Sequence, residues 1–333
     1  SKTSESICTD LKKLGYSTHA VHNNEATFYG RNTVFSNIGF DTFCSMEYMN
    51  GLTDSPNGWS NDDVLSREIM KTLDSTSGPD FTMAITVQSH GKYDGIALDD
   101  PTIKVTGAPE GKEQAYEYYV NEIHEVDRMI DTLIKELSNR KEETVLVLYG
   151  DHLPSLDIQK DDLSNANLYQ TQYVVWDNMN LKKKTKNLHA YQLYAEVLDR
   201  IQIHEGMITK YHQQTKHRSK LYLTGLTTLS YDLLYGDNYA YDGENPFKQT
   251  ELQMGTEPVK LTSVQKTKSG YRVVGSGFTP YCKVYYDGTL VESEWISSEC
   301  LQLQDEFELD EADKKDSGEP ETEVTEPRDV PNA

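Results

Sequence analysis

Asp151 and His152 follow directly on Thr144-Val-Leu-Val-Leu-Tyr-Gly150, so a carboxylate and an imidazole stand together at the end of a branched, apolar run. Such a run predicts a buried strand. In open α/β sheets, ligands bind outside the carboxyl ends of the strands. Asp oxygen and His nitrogen are also a donor pair that a divalent cation takes when it works on a phosphate or sulfate ester. An Asp capping a turn beside a His that merely packs would read the same way, so the pair gains weight only from its company. Ser17 to His22 predicts a short strand ending on an imidazole, and Phe81 to Val87 predicts another that runs out at Gln88-Ser89-His90. A core histidine has no reason to prefer strand ends.

Helical text separates these strands, which predicts an α/β fold with a mostly parallel sheet flanked by helices. Ile7 to Leu14 reads as the end of a helix stopped by Gly15, and Asn61-Asp62-Asp63 as the cap of a helix running to Leu73. Tyr116, Tyr119, Val120, Ile123, Val126, Ile130, Leu133, Ile134 and Leu137 recur at steps of three and four. They predict one apolar stripe on a helix of about seven turns. Tyr173 to Trp176 predicts a strand and Ala190 to Ile201 an amphipathic helix. After Pro246 the text changes to short alternating runs with hairpin turns, at Val259, Leu261, Tyr271, Val273, Gly275 to Pro280 and Val284 to Gly288. The expected division is a partial α/β domain over 1–245, a small β module over 256–303, and an acidic, disordered tail over 304–333.

The 333 residues suffice for such an arrangement, and hydrophobic residues make up 36% of them. The longest apolar run, Val145 to Tyr149, is far short of the roughly 20 residues that span a bilayer. A chain that starts at Ser1 without Met reads as an excised or processed piece. The net charge of -22 argues against a nucleic-acid partner, because phosphate backbones need clustered Lys and Arg. Cys8, Cys44, Cys282 and Cys300 show neither CxxC nor zinc-finger spacing. Cys282 and Cys300 could pair in an oxidising compartment, and four buried thiols are equally compatible.

Taken in order, Gly15-Tyr-Ser-Thr-His-Ala-Val-His22, Phe28-Tyr-Gly-Arg31-Asn32, Gly39-Phe-Asp-Thr-Phe43, Trp59-Ser-Asn-Asp-Asp63, Ser89-His90 and Tyr149-Gly-Asp-His152 form a specific set. Across residues 4 to 235 the chain resembles the extracellular catalytic domain of lipoteichoic acid synthases, of the sulfatase/alkaline phosphatase superfamily. Val274-Gly-Ser-Gly-Phe-Thr-Pro280 resembles a TIG-type immunoglobulin-like module. The resemblance implies a phosphoglycerol transferase: a threonine attacks phosphatidylglycerol, releases diacylglycerol and passes glycerol phosphate to a growing polymer. It implies a divalent metal, with manganese first and magnesium or zinc as alternatives, held in part by Asp151 and His152. His22, Arg31 and His90 fall on positions that bind phosphate or glycerol, and Tyr29 stands where some members have Trp. A planar guanidinium suits two non-bridging phosphate oxygens at once.

The nucleophilic threonine and a further carboxylate ligand are expected upstream of Ser1, Thr3 and Thr9 being weak substitutes. The expected setting is the outer face of a bacterial membrane, with the membrane anchor in an absent N-terminal part. The expected partners are a phosphatidylglycerol-type lipid, a polymer acceptor, and a second copy or a missing half-domain that covers exposed apolar surface. A sulfatase or phosphoethanolamine transferase is the near alternative. A non-catalytic carbohydrate-binding fragment is the distant one, and a nucleotide-binding protein is disfavoured because no Gly-rich loop follows any strand.

Overall fold

The computed structural model describes residues 2–268 and 270–304, with the backbone of residues 322–325. The chain opens with α1 (Ile7–Lys12), β1 (Ser17–His22), α2 (Arg31–Asn37), β2 (Thr42–Ser45), α3 (Val64–Asp74) and β3 (Asp80–Ile85). It continues through the long α4 (Glu113–Asn139), β4 (Val145–Tyr149) and β5 (Tyr173–Asp177). Then come α5 (Leu193–Arg200), α6 (Met207–Gln214), α7 (Leu221–Leu234) and the short β6 (Gln253–Met254). One sheet has the order β3-β1-β2-β6 and is parallel throughout, with Val21 opposite Cys44 on one side and Ala84 on the other.

Alternation along β1 splits the core into two layers. Val21 and Cys44 face α3 and α4, packing with Leu65, Ile69, Met129 and Leu133. Ala20 and Phe43 face the other way, against Cys8, Phe35 and Phe40 from α1, α2 and the turn after it. This is the helix-covered parallel sheet that the sequence predicts.

β4 departs from the expectation that all three histidine-bearing strands share that sheet. It pairs antiparallel with β5, Val147 opposite Val175, as a separate two-stranded ribbon. Leu146 and Trp176 still pack on the layer of α3 and α4. The apolar run reports burial correctly, but burial alone does not choose a neighbour.

The apolar stripe on α4 is also only partly as expected. Met129, Leu133 and Leu137 are buried, but in the first half the buried positions are Ala115, Tyr118, Asn121 and Glu122, while Ile123 is 40% exposed. Polar groups displace the stripe where the helix passes behind the strand ends.

The C-terminal strands are β7 (Lys260–Thr267), β8 (Gly270–Ser276), β9 (Lys283–Tyr286), β10 (Thr289–Val291), β11 (Ser293–Ser297), β12 (Cys300–Leu303) and β13 (Thr322–Thr325). They form two antiparallel sheets, β11-β12-β8-β7 and β10-β9-β13, around Val273, Phe278, Val284, Leu301 and Leu303. Gly275 is required there, because a Cβ would stand 1.9 Å from the Lys260 carbonyl oxygen. Within the tail expected to be disordered, the backbone of β13 pairs with β9, and the remaining residues lie outside those described. All four cysteines are free thiols, so Cys282 and Cys300 do not pair.

Candidate active site at the strand ends

β1 delivers His22 to the carboxyl edge of the parallel sheet, where it is 1% exposed. Its Nδ1 lies 2.9 Å from the Ile85 carbonyl oxygen at the end of β3. A carbonyl only accepts, so Nδ1 carries the proton and Nε2 keeps a lone pair. That Nε2 is buried and has no hydrogen-bond partner among the described residues. Burial, reinforced by the nearby Arg31 charge, lowers His22 from 6.5 to about 4. The ring is therefore neutral at physiological pH and presents an acceptor, suited to a hydroxyl and not to a phosphate oxygen.

Arg31 is placed by a strained turn. Tyr29 and Gly30 both take left-handed backbone, at φ 56° and 64°, immediately before α2 begins. A tyrosine in that region is uncommon, and such strain concentrates at binding sites. The guanidinium lies over the rings of Phe28 and Tyr29, 5.3 and 5.5 Å from their centroids. Burial pulls its affinity for the proton down, an effect opposed by Tyr29. Tyr29 itself is 83% exposed and forms an open wall.

His90 and His152 come together in a second group. Their ring centroids are 6.0 Å apart, edge to face, and Trp59 meets His90 at 5.4 Å. His90 Nδ1 lies 2.9 Å from the Gly91 carbonyl, and His152 Nδ1 2.8 Å from that of Leu153. Both rings are thereby fixed in the same tautomer as His22, with Nε2 free to donate a lone pair. Metal-bound histidines are oriented by the same device. Asp151 Oδ2 lies 3.8 Å from His152 Nε2. Among the described residues, no hydrogen bond, ion pair or ring contact links this group directly to His22 and Arg31; they are neighbours through the β1–β3 pairing and the loop after β3.

The Asp151–His152 pair has the right donors and tautomer for a divalent metal, but no group of three or more His, Cys, Asp or Glu side chains could hold one among the described residues. Catalytic metal sites use about three protein donors and an open position. The described side chains therefore do not complete the metal site that the family resemblance implies. Thr3 and Thr9 do not supply a nucleophile. Thr3 donates to the Phe247 carbonyl, and Thr9 closes the capping box of α1 with Ser6.

A buried polar cluster behind the histidines is absent from the sequence reading. Asp62 is fully buried, and its Oδ1 accepts from Asn23 Nδ2 at 2.8 Å, Val87 N at 2.9 Å and Gln88 N at 3.3 Å. Gln88 returns the contact by accepting from Asp62 N at 2.8 Å, and Glu122 accepts from Gln88 and Tyr118. Burial pushes both carboxyls up, Asp62 against the three hydrogen bonds it receives. Asp62 was expected to help cap α3. At the N-cap position Asp63 makes no side-chain bond, and Asp62 turns inward to clamp the ends of β1 and β3 together. Three acid-amide residues in a row carry that signal only weakly, because caps have the same composition.

Residues 1–207 match the Sulfatase family model. A Rhizobium meliloti protein, whose name assigns it to cyclic beta-1,2-glucan modification, is 31% identical over 54% of this chain and 30% of its own length. Lipoteichoic acid synthase 2 of Bacillus subtilis is 24% identical over 58% of this chain and 30% of its own. The chain thus spans under a third of these relatives. The structure of Streptococcus pyogenes phosphoglycerol transferase GacH in complex with sn-glycerol-1-phosphate superposes with a TM-score of 0.55 at 18% identity, covering 71% of this chain and 66% of that one. That likeness is one of fold. The matched residues carry β1, β2 and β3 of the parallel sheet, both histidine groups and the Asp-His pair, and the chain belongs to the sulfatase family, within the sulfatase/alkaline phosphatase superfamily, with lipoteichoic acid synthases among its relatives.

Proposed function

We propose that this chain carries the substrate-handling part of a phosphoglycerol transferase acting on phosphatidylglycerol-type phosphodiesters at the outer face of a bacterial membrane. The observation that carries the reading is the buried, unpartnered Nε2 of His22 beside Arg31, with His90 and His152 in the same tautomer. His22 Nε2 accepts from a glycerol hydroxyl in a dry corner. Arg31, held over Phe28 and Tyr29, pairs with the non-bridging phosphate oxygens. His90 borders the position of the reacting phosphoryl group, and Trp59 fixes its ring. Asp151 and His152 are two donors toward a divalent cation, manganese first, whose remaining protein donors and threonine nucleophile lie outside the described site.

Titration of sn-glycerol-1-phosphate into the chain tests this reading. Arg31→Ala should weaken binding at least about tenfold through loss of a charge-assisted pair, and His22→Phe should weaken it while filling the corner. Equal binding by both variants and the parent would refute the assignment. Manganese binding that disappears in Asp151→Ala would support the metal pair. Release of diacylglycerol by this chain alone would show that the nucleophile lies within it.

A glycan acceptor is a second reading. It is favoured by the higher identity to the glucan-modifying relative, 31% against 24% for the lipoteichoic acid synthase.

A further inference from the structure

α7 is held to the body by one face. Tyr222 is buried against Gln192 and His212, at 3.0 and 2.7 Å, and Leu233 is buried below it. The opposite face is open and bears no charge. Leu223, Tyr231 and Leu234 project from it, with Tyr235 just beyond, and exposed threonines fill the gaps. Leu223 is 57% and Tyr235 76% exposed. Asp232, the helix's one charged side chain, is turned into the next turn, where it accepts from Tyr239 N and Ala240 N. Immediately before the helix stand Lys216, Arg218 and Lys220, all exposed, and no ion pair with a described residue involves them.

We propose that this face docks on an anionic phospholipid bilayer. Leucines and tyrosines separated by threonines suit the boundary between headgroups and acyl chains, where an amphipathic ring keeps its hydroxyl wet. The three cations at the helix start match lipid phosphates. Charge complementarity selects this occupant. In a chain of net charge -22 most of the surface repels an anionic one. Lys182, Lys183 and Lys184 are also exposed and unpaired among the described residues, but the segment of Lys216 to Lys220 runs directly into the uncharged apolar face, and that combination sets the orientation.

The proposal stands apart from the transfer chemistry, because vesicle binding needs no turnover. The full chain should sediment with vesicles of mixed phosphatidylglycerol and phosphatidylcholine at least about tenfold more strongly than with phosphatidylcholine alone, and salt should remove the difference. Leu223→Ser with Tyr231→Ser and Tyr235→Ser should lower binding to both vesicles at an unchanged melting temperature. Lys216→Ala with Arg218→Ala and Lys220→Ala should bring the two vesicle types to equality, and keeps the test readable if the apolar variant melts early. Failure of the parent chain to bind mixed vesicles, or parent-like binding by both variants, would overturn the proposal. So would a dimer in solution that the apolar substitutions abolish, since it would assign the face to a second copy.

Discussion

At the end of β1, His22 is 1% exposed, and Asn23, Asp62 and Gln88 are buried and bonded to one another. At the end of β4 the side chains of Asp151 and His152 are 81% and 59% exposed and lean mainly on their own main chain. β1 has a parallel neighbour on each side and a helical layer on each face, whereas β4 has only β5 beside it. The first corner is therefore preorganised, at the cost of burying polar groups. The second is left adjustable, which fits the metal-donor role proposed for it.

The sharpest way to break this contrast is Asp62→Ala. It strands two buried backbone N–H groups, those of Val87 and Gln88, and should cost about 3–5 kcal/mol, read as a lowered urea midpoint. Asp62→Asn, which keeps an oxygen acceptor, should cost clearly less. If both variants melt like the parent, the clamp does not hold the corner.

His22 gives a pH signature. Because its folded value lies near 4 and its ordinary value at 6.5, the unfolded chain takes up the proton first as pH falls. The stability it contributes is intact above 6.5 and is lost through the window down to about 4. His22→Gln should flatten the loss between about pH 7 and pH 4 by the order of 3 kcal/mol. Some slope should remain, since burial also lowers His212 to about 4.

The smallest effect is expected at the exposed corner. Asp151→Ala and His152→Ala should each change stability by under about 0.5 kcal/mol in the absence of metal. A large loss in either would mean that this corner, too, is part of the framework.

How much of this was legible in sequence follows the same division. Of the residues proposed to face ligand, His22, His90, Asp151 and His152 stand out because they follow predicted strands, whereas Arg31, at the start of α2, is picked out only by the family resemblance. Val145 to Tyr149 announces a buried strand, but nothing within it names β5 as an antiparallel neighbour, since that choice rests on the loop after Gly150. Asp62 and Glu122 were hidden for a different reason. One sits in a string that reads as a helix cap, and the other sits within a helix whose apolar stripe implies a hydrocarbon face. Buried carboxyls are tolerated only with partners from several elements, and those partners are scattered over Asn23, Gln88 and Tyr118.

The Thr279 hydroxyl donates to the Glu47 carbonyl at 2.6 Å, while the Glu47 carboxylate accepts from Ala26 N at 3.1 Å. Ala26 lies three residues before Tyr29, so the strands beyond residue 256 brace the very bend that aims the guanidinium. Thr279→Val should be felt as looser glycerol phosphate capture, with the cation-facing donors undisturbed. If the proposed glycerol phosphate site stands, drift in the distal sandwich would reach its arginine through this brace without touching one proposed reacting group.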